Sequence, residues 1–417
     1  MKTRRFSILG SIVLSTMLLP SVFGNHRTGK LALPELLVAG DFDGDGSLDL
    51  AVNVTGFDMA AIFLGNGQGG FMLKGHVQLD TLAKGLGQGD MNEDGHADLV
   101  SCTAWGYTMR LLLGDGLGGF TPANELKGDG EPTRLILRDF NNDGHLDVAV
   151  NAPDEGKIIL YFGDGKGNFA IPSTELERYP RPFGLAAGDF NGDSNLDIVT
   201  TTRTGIDPGT AHVAVLLGDG NGGFSQSAFL GVSSRPSSVA VGDLNNDGKL
   251  DFVVAGAEPH NTEGNFISTF LGDGMGNFAL KQTTSLGDGN LKGEIALGDF
   301  NEDGIQDVAY PVTSDVSGAH STTVLIFFGD GTGNLIAGPS VTVGQEPHSV
   351  IAADFNKDGH LDLAVTNRTN GTVSILLGDG SGNFTLATTL SVISPELSDG
   401  SVTFAIQRAG TSYCQCR

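Results

Sequence analysis

Aspartate and asparagine recur at fixed spacing in a nine-residue stretch that begins at Asp139. Oxygen-bearing side chains occupy positions 1, 3, 5 and 9 of this stretch, and a glycine occupies position 6. Similar stretches begin at six further aspartates of the 417-residue chain: Asp41, Asp90, Asp189, Asp243, Asp299 and Asp354. Because the seven stretches follow one another at intervals of 49 to 56 residues, they predict a repeated structural unit with a repeated chemical site.

The chemistry that this spacing favours is calcium binding. Calcium takes about 6–8 oxygen ligands, and carboxylates at alternate positions of a tight loop converge on one point. Glycine at position 6 permits the positive φ that the chain reversal needs. The predicted metal ligands are Asp41, Asp43, Asp45, Asp49, Asp90, Asn92, Asp94, Asp98, Asp139, Asn141, Asp143, Asp147, Asp189, Asn191, Asp193, Asp197, Asp243, Asn245, Asp247, Asp251, Asp299, Asn301, Asp303, Asp307, Asp354, Asn356, Asp358 and Asp362. We therefore expect up to seven calcium ions.

The remaining loop positions refine this prediction. Position 7 varies widely in side chain, so we expect its backbone carbonyl to be the ligand, whereas position 2 is always apolar and should enter the core. The likeness to an EF-hand is partial, because position 12 is apolar or small and not the closing glutamate. No loop offers converging histidine or cysteine, which argues against a transition metal. The alternative is a set of Asn/Asp/Gly turns that hold no ion.

The composition agrees with a turn-rich chain that binds cations. Sixty-three of the residues are glycine, and the formal net charge is −25 at pH 7. Aspartate at loop positions 1, 5 and 9 supplies 21 of the 49 acidic residues. The acidity is therefore mostly a set of predicted ligands, and it argues against nucleic-acid binding.

The N-terminus is typical of a secretory signal peptide, predicted over residues 1–24. Lys2, Arg4 and Arg5 form a basic start, and an apolar run that ends at Leu19 is short for a membrane span. An uncleaved N-terminal anchor is the alternative. We expect a secreted protein, or one in the periplasm or at the cell surface, with no membrane span after cleavage. High extracellular calcium would fill even weak sites.

The elements that position the loops follow one repeated order. In each unit an apolar run leads into the acidic loop, a second β-type run follows it, and a third run precedes a Gly-rich hairpin whose closing residue should plug the core. Four short antiparallel strands per unit, seven times over, predict an all-β, seven-bladed β-propeller over residues 25–392. Residues 393–417 carry no repeat motif and are expected to form a C-terminal tail or an extra strand. The sequence shows no strand borrowed from one terminus to complete a blade at the other, so the simplest closure of the ring packs blade 7 on blade 1.

The repeat resembles a known family. Its pattern D-F-N-x-D-G-x-x-D-L-A-V followed by L-L-G-D-G-x-G-x-F is similar to the FG-GAP/VCBS-type repeat that builds the propeller of integrin α subunits. The resemblance implies the propeller fold, one calcium ion per blade between the first two strands, and an extracellular location. It does not imply one activity. Two departures are Ser194, which replaces glycine at position 6 and should weaken its site, and Gln306, whose packing is in doubt because leucine or alanine stands there elsewhere.

A partner is expected on the rim that lies opposite the acidic loops. From the position-9 aspartate to the hairpin glycine the chain runs 16 residues in blades 1, 2, 3 and 7, but 21 or 22 in blades 4 to 6. Blade 2 adds Trp105 and Tyr107 on the same rim. Longer connections on a rigid scaffold often carry function, although they could also be plain solvated insertions. We expect a monomer that binds an extracellular protein or glycan through the rim of blades 4–6.

The functional hypothesis is therefore a calcium-binding module for cell adhesion or carbohydrate binding. The alternative is a polysaccharide-active enzyme, a lyase or hydrolase, on a propeller scaffold, and a third hypothesis is a structural component of a cell surface. The sequence contains no Gly-x-Ser-x-Gly elbow and no His-Glu-x-x-His, so no catalytic residue and no organic cofactor is predicted.

Overall fold

Seven four-stranded sheets make up the part of the chain that the computed structural model describes. That part is residues 31–393, apart from 104–107, 128–130, 171–173, 178, 204–210, 233–234, 257–264, 288–292 and 315–319. In each sheet the strands pair antiparallel in chain order, first to fourth. This confirms the predicted all-β, seven-bladed propeller of four-stranded antiparallel blades.

The first four blades contain strands β1 to β16. Blade 1 is formed by β1 (Pro34–Gly40), β2 (Asp49–Val54), β3 (Met59–Gly65) and β4 (Phe71–Gln78). Blade 2 is formed by β5 (Ala83–Gly89), β6 (Asp98–Thr103), β7 (Thr108–Gly114) and β8 (Phe120–Lys127). Blade 3 is formed by β9 (Arg134–Arg138), β10 (Asp147–Ala152), β11 (Lys157–Tyr161) and β12 (Thr174–Glu177). Blade 4 is formed by β13 (Leu185–Gly188), β14 (Asp197–Arg203), β15 (Ala211–Gly218) and β16 (Phe224–Gly231).

The last three blades repeat the same order. Blade 5 is formed by β17 (Pro236–Gly242), β18 (Asp251–Gly256), β19 (Asn265–Gly272) and β20 (Phe278–Gly287). Blade 6 is formed by β21 (Ala296–Gly298), β22 (Asp307–Ser314), β23 (His320–Gly329) and β24 (Leu335–Thr342). Blade 7 is formed by β25 (Pro347–Ala353), β26 (Asp362–Asn367), β27 (Thr372–Gly378) and β28 (Phe384–Ser391).

Strand position within a blade explains the sequence pattern of each run. First strands of neighbouring blades contact one another, as β5 does with β1 and β9, so they lie innermost. Every residue of β2, β6, β10, β18 and β26 is buried, because these second strands are covered by a neighbouring blade on each face. The fourth strands alternate exposed with partly buried residues, as β4 does, because one face meets solvent.

The hydrophobic core consists of seven clusters, and each one joins two adjacent blades. One of them joins blades 7 and 1, with Phe355 and Ile375 packed against Leu50 and Phe63. A single four-stranded sheet cannot bury both of its faces, so stacking and ring closure supply the burial that holds each blade.

The ring closes by packing within the described residues. Blade 7 takes its four strands from consecutive chain, and no strand near one terminus completes a sheet near the other. Strands run from Pro34 to Ser391. The predicted signal peptide at 1–24 and residues 394–417 of the predicted tail lie outside the described residues. No helix long and apolar enough to cross a membrane occurs in the described part of the chain.

Candidate metal centre

The acidic loop of blade 3 shows how the repeated stretch folds. Its chain turns in the left-handed region twice, at Asn142 (φ 58°) in position 4 and at Gly144 (φ 90°) in position 6. The Asp139 carboxylate then accepts hydrogen bonds from the backbone amides of Asp143 at 3.2 Å and of Gly144 at 2.8 Å. Asp143 in turn accepts one from the amide of His145 at 2.9 Å. The loop is therefore a series of side-chain-to-backbone turns that aspartate and asparagine favour.

In all seven loops the backbone amide of position 6 donates a hydrogen bond to the carboxylate of position 1, at 2.8–2.9 Å. Ser194 adopts a φ of 68° and still donates its amide to Asp189. A non-glycine residue in the left-handed region costs about 1 kcal/mol or more of conformational free energy. That this loop is the weakest of the seven cation sites therefore stays a prediction. Gln306 is half-buried, as are the leucines at the same position of the other loops.

The position-9 aspartate is fully buried and ties the loop to the hairpin of its own blade. In blade 3, Asp147 accepts hydrogen bonds from the amide of Phe140 at 2.8 Å and from the amide of Gly163 at 2.8 Å. The same two bonds occur in every blade, at 2.7–2.9 Å. Each of these carboxylates therefore satisfies two backbone donors that the neighbouring blades would otherwise bury unpaired.

Burial works against the charge on these position-9 carboxylates. It raises the pKa of Asp49, Asp147, Asp197 and Asp307 to about 6, and the amide hydrogen bonds offset only part of the rise. Repulsion from the position-1 carboxylate and from a second loop aspartate adds to the increase. A cation among these carboxylates would reverse the effect, because it stabilises all of their charged forms at once.

The first loop brings three carboxylates together. One oxygen from each of Asp41, Asp43 and Asp49 lies within 4.8 Å of the other two. Two oxygens on opposite sides of a calcium ion are about 4.6–5.2 Å apart, given bonds of about 2.3–2.6 Å, so this donor set fits a hard cation. Among the described residues no other trio of His, Cys, Asp or Glu groups is as close.

The other six loops carry asparagine at position 3, and the structure places its amide against the position-5 carboxylate. Asn141 donates to Asp143 at 2.9 Å, and equivalent bonds of 2.8–3.0 Å occur at four further loops. In this arrangement the position-3 and position-5 side chains pair with each other. Calcium binding at all seven loops, with position 3 turned to present its oxygen, stays a prediction.

The apolar side chain at position 2 is buried in every loop, as predicted. The exposed fraction is 1–3% for Phe42, Met91, Phe140, Phe190, Leu244, Phe300 and Phe355. In five blades its ring meets, edge to face, the aromatic ring that closes the hairpin of the next blade, as Phe42 meets Phe120 at 5.4 Å. The Phe42 carbonyl also accepts a hydrogen bond from Gly118 in the same hairpin at 2.8 Å. Each loop therefore holds the neighbouring blade through position 2.

Contacts between loops of adjacent blades were not predicted. The side chain at position 4 of one loop forms a hydrogen bond with the side chain at position 7 of the next loop. Glu93 pairs in this way with His145, and Glu302 pairs with His360. The glutamates raise the pKa of both histidines by accepting these hydrogen bonds. The partners are 52 and 58 residues apart, and the only available signal was that position 4 and position 7 are polar in most repeats.

Much of the predicted partner rim lies outside the described residues. This applies to Trp105 and Tyr107 and to most of the extra residues of blades 4, 5 and 6, which fall at 204–210, 257–264 and 315–319. Arg203 and His212, which border the blade 4 connection, are described: Arg203 stacks on Phe183, and His212 stacks on Phe229 at 4.1 Å.

The repeats match the family model for the FG-GAP-like repeat at residues 41–101, 90–150, 139–200, 204–254, 313–365 and 354–406. These segments cover more than half of the chain, and six of the seven acidic loops lie within them. The class of protein is thus a seven-bladed propeller built from such repeats. The chain belongs to the FG-GAP-like repeat family and resembles the N-terminal propeller of integrin α subunits.

Similar proteins of known name share parts of the sequence or the fold. The phosphatidylinositol-glycan-specific phospholipase D of Rattus norvegicus is 27% identical over 180 residues, which is 35% of this chain and 21% of that protein. The Kuenenia stuttgartiensis hydrazine synthase structure superposes with a TM-score of 0.61 at 14% identity, over 86% of this chain and 99% of that one. BBS1N in complex with ARL6DN gives a TM-score of 0.57 at 10% identity, over 82% and 91% of the two chains. At these identities the structures show a shared fold alone.

Proposed function

We propose that this chain is a secreted, calcium-stabilised propeller that binds an extracellular protein or glycan. The observation that carries the calcium part is the convergence of Asp41, Asp43 and Asp49 within 4.8 Å. The basic and apolar N-terminal stretch over residues 1–24 supports export. The FG-GAP-like repeats support a binding role, because adhesion propellers are built from the same unit.

Calcium would be held by the side chains at loop positions 1, 3 and 5, with the position-9 carboxylate completing the set. When bound, the ion would neutralise carboxylates that otherwise repel one another. The chain itself supplies the rest of the support, since the position-9 aspartate already anchors the loop to two buried amides. We expect the ion to stabilise the blades, and we expect no chemistry at the loops.

Removal of calcium tests this part of the proposal. Excess EGTA should lower the melting temperature by many degrees, because the uncompensated carboxylates of each loop then destabilise the folded state. Added calcium should restore the original value, and equal concentrations of magnesium should restore much less, since magnesium prefers a smaller octahedral site. An unchanged melt in EGTA, confirmed on protein shown by metal analysis to be calcium-free, would contradict the assignment.

The partner part of the proposal concerns the rim opposite the loops, in blades 4–6. A glycan and protein array would identify candidates, and a variant with the three long connections cut to the length found in blade 1 should lose binding while it keeps its melting temperature. The matched control carries an equally conservative change in the blade 7 connection. Equal binding by both variants would contradict this placement of the partner.

The same preparation can separate binding from catalysis. Incubation with a panel of polysaccharides should yield complexes without new reducing ends or unsaturated products. Steady product formation would instead favour the polysaccharide-active enzyme, and it would place this chain among propellers that carry an active site. The named activity of the rat phospholipase D can be tested alongside, with a glycosylphosphatidylinositol-anchored protein as substrate.

A further inference from the structure

An ionic cluster lies near the centre of the ring, at the end opposite the acidic loops. It forms where the first strands begin, and Glu35 there pairs with Lys84 at 2.8 Å and with Arg368 at 3.5 Å. Arg134 of blade 3 reaches Glu294 of blade 6 at 2.5 Å. Because blades 3 and 6 are not adjacent, this pair reaches across the centre of the ring.

The acids of this cluster are unevenly distributed around the ring. Glu35, Glu294 and Glu346 belong to blades 1, 6 and 7, and they pair with the basic side chains Lys84, Arg134 and Arg368. On the side of blades 4 and 5 the described residues place no carboxylate within 4.0 Å of Arg203 or Arg235. In a chain of net charge −25, unpaired arginines at one end of the axis form a local positive surface.

The backbone brings three arginines to this place. The Nε atom of Arg203 donates to the carbonyl of Pro236 at 3.0 Å, which sets Arg235 beside it. The backbone amide of Arg203 donates to the carbonyl of Pro180 at 2.7 Å, which sets Arg181 on the other side.

Arg181 is held there at a φ of 45°, in the left-handed region that is unfavourable for a non-glycine residue. Its own partner is Asp154, and both side chains of that pair are more than half exposed. Among the described residues Asp154 forms an ion pair with Arg181 and not with Arg203 or Arg235, and Glu131 lies against Asp154. The arrangement stores backbone strain and like-charge repulsion at the same place.

The guanidinium of Arg203 is oriented for a ligand. Its Cζ atom lies over the Phe183 ring, 3.8 Å from the ring centre, in a cation–π contact. Among the described residues, Nε is the only guanidinium nitrogen of Arg203 that forms a hydrogen bond. The two outer nitrogens therefore remain as a pair of donors for a ligand. Burial, together with repulsion from Arg235, Arg181 and Arg134, lowers the Arg203 pKa to about 10.

We propose that Arg203 and Arg235, flanked by Arg181, form an oxyanion-binding site that takes a carboxylate or sulfate group of the partner. A planar fork held on an aromatic ring matches such groups with two parallel hydrogen bonds, and an anion would relieve the repulsion among the arginines. The site belongs to blades 4 and 5, at the end of the second strand of blade 4 and the start of the first strand of blade 5. This inference rests on the proposed binding role, and it names the chemistry that the partner presents.

The test uses the calcium-loaded full chain with succinate and sodium sulfate as probes at constant ionic strength. Titration calorimetry should show saturable binding of at least one of them, and the tighter anion would identify the group that the partner carries. Arg203→Gln and Arg235→Gln should each weaken binding about tenfold or more, because each removes charge-assisted hydrogen bonds. Arg203→Lys should also weaken it, since a lysine lacks the planar fork.

Lys281→Gln is the matched control, because it removes one positive charge from an exposed position on the fourth strand of blade 5, and it should keep wild-type affinity. Melting curves show whether each variant folds. If Arg203→Gln does not fold, Arg235→Gln is used to test the site. No saturable binding of either anion, or equal affinity in the wild type and both glutamine variants, would overturn the site. If array partners still bind the glutamine variants with wild-type affinity, this site fails while the binding role stands.

Discussion

At the scale of single residues, the loop carboxylates divide into two kinds. Asp147 is buried and accepts hydrogen bonds from the amides of Phe140 and Gly163, whereas Asp143 is exposed and accepts one from His145 within the loop. Removal of the first leaves two buried donors unpaired, and removal of the second mainly takes one ligand from the predicted ion. The two aspartates should therefore respond differently to calcium.

Asp147→Ala should reduce the free energy of unfolding by about 2–4 kcal/mol, because each unpaired buried amide costs about 1–3 kcal/mol. Part of this loss should persist in EGTA, because the two amide hydrogen bonds do not depend on the ion, and the loss should be larger in calcium, because Asp147 also completes the predicted ligand set. Asp143→Ala should lose stability in calcium, where the remaining carboxylates lose the ion that balances them, and change little in EGTA. Urea denaturation of both variants under the two conditions is the measurement, and an equal loss for Asp143→Ala in EGTA would contradict the ligand role.

His348 lies in the ionic cluster, and its environment makes the free energy of unfolding depend on pH. Its Nδ1 lies 3.2 Å from the carbonyl of Glu35. Burial lowers the His348 pKa below 6.5, and Arg134 and Arg368 lower it further, while the side chains of Glu35 and Glu294 oppose the change. The folded protein thus holds a neutral ring, and its contribution to stability is present above pH 6.5 and lost as the pH falls below that value.

His348→Gln should therefore flatten the decline in the free energy of unfolding between pH 7.5 and 5.5, measured by urea denaturation in saturating calcium. His96→Gln is the control, because it removes an exposed histidine ring in place of a buried one. A slope that His348→Gln leaves unchanged would show that the ring does not titrate between the folded and unfolded states in this range.

At the scale of elements, the hairpin glycine limits how closely loop and hairpin approach. A Cβ added to Gly163 would lie 2.2 Å from the carbonyl oxygen of Leu146, and the equivalent glycines of the other blades meet the same carbonyl at 2.1–2.5 Å. That oxygen belongs to the backbone beside the buried Asp147, so it cannot move without disturbing the anchoring hydrogen bonds. The Gly-rich motif is thus required by a close backbone approach as well as by its turn.

Gly163→Ala should destabilise the protein by about 1–3 kcal/mol, as overpacking against fixed groups does. Gly75→Ala is the matched control, because a Cβ there meets nothing within 4 Å on the fourth strand of blade 1. It should be neutral or stabilise by up to about 1 kcal/mol, since alanine restricts the unfolded chain. Thermal and urea denaturation of the two variants provide the measurement. An equal change in stability for Gly163→Ala and Gly75→Ala would contradict the close approach of Gly163 to the Leu146 carbonyl.

The elements could be predicted from sequence because their pattern is local and repeated. Seven copies of the loop fixed the number of blades, and the apolar position 2 was correctly assigned to the core. The double hydrogen bond of Asp147 was missed because its partner at Gly163 lies 16 residues away, across the blade. Glu93 and His145 lie on different blades, and Arg134 and Glu294 on opposite sides of the axis, so no local pattern could indicate either pair.

At the scale of the whole molecule, the chain connects the blades directly at six of the seven interfaces. At the seventh, between blades 7 and 1, the blades are held together by packing and hydrogen bonds alone. Phe355 of blade 7 meets Phe71 of blade 1 edge to face at 5.7 Å, and its carbonyl accepts a hydrogen bond from Gly69 at 3.2 Å. The internal pair Phe190 and Phe278 has the same geometry at 5.4 Å. The two interfaces therefore differ mainly in whether the chain connects their blades.

This difference predicts a kinetic effect of ring closure. Phe355→Ala and Phe190→Ala should each lower the free energy of unfolding by about 3–5 kcal/mol, because both rings are about 1% exposed and leave a cavity. If the ring opens first between blades 7 and 1, the contacts of Phe355 are already lost in the transition state. Its whole cost then appears in the unfolding rate, while part of the Phe190 cost appears in the folding rate. Urea-jump kinetics in saturating calcium should show the larger rise in unfolding rate for Phe355→Ala, and equal rises would mean that all seven interfaces open together.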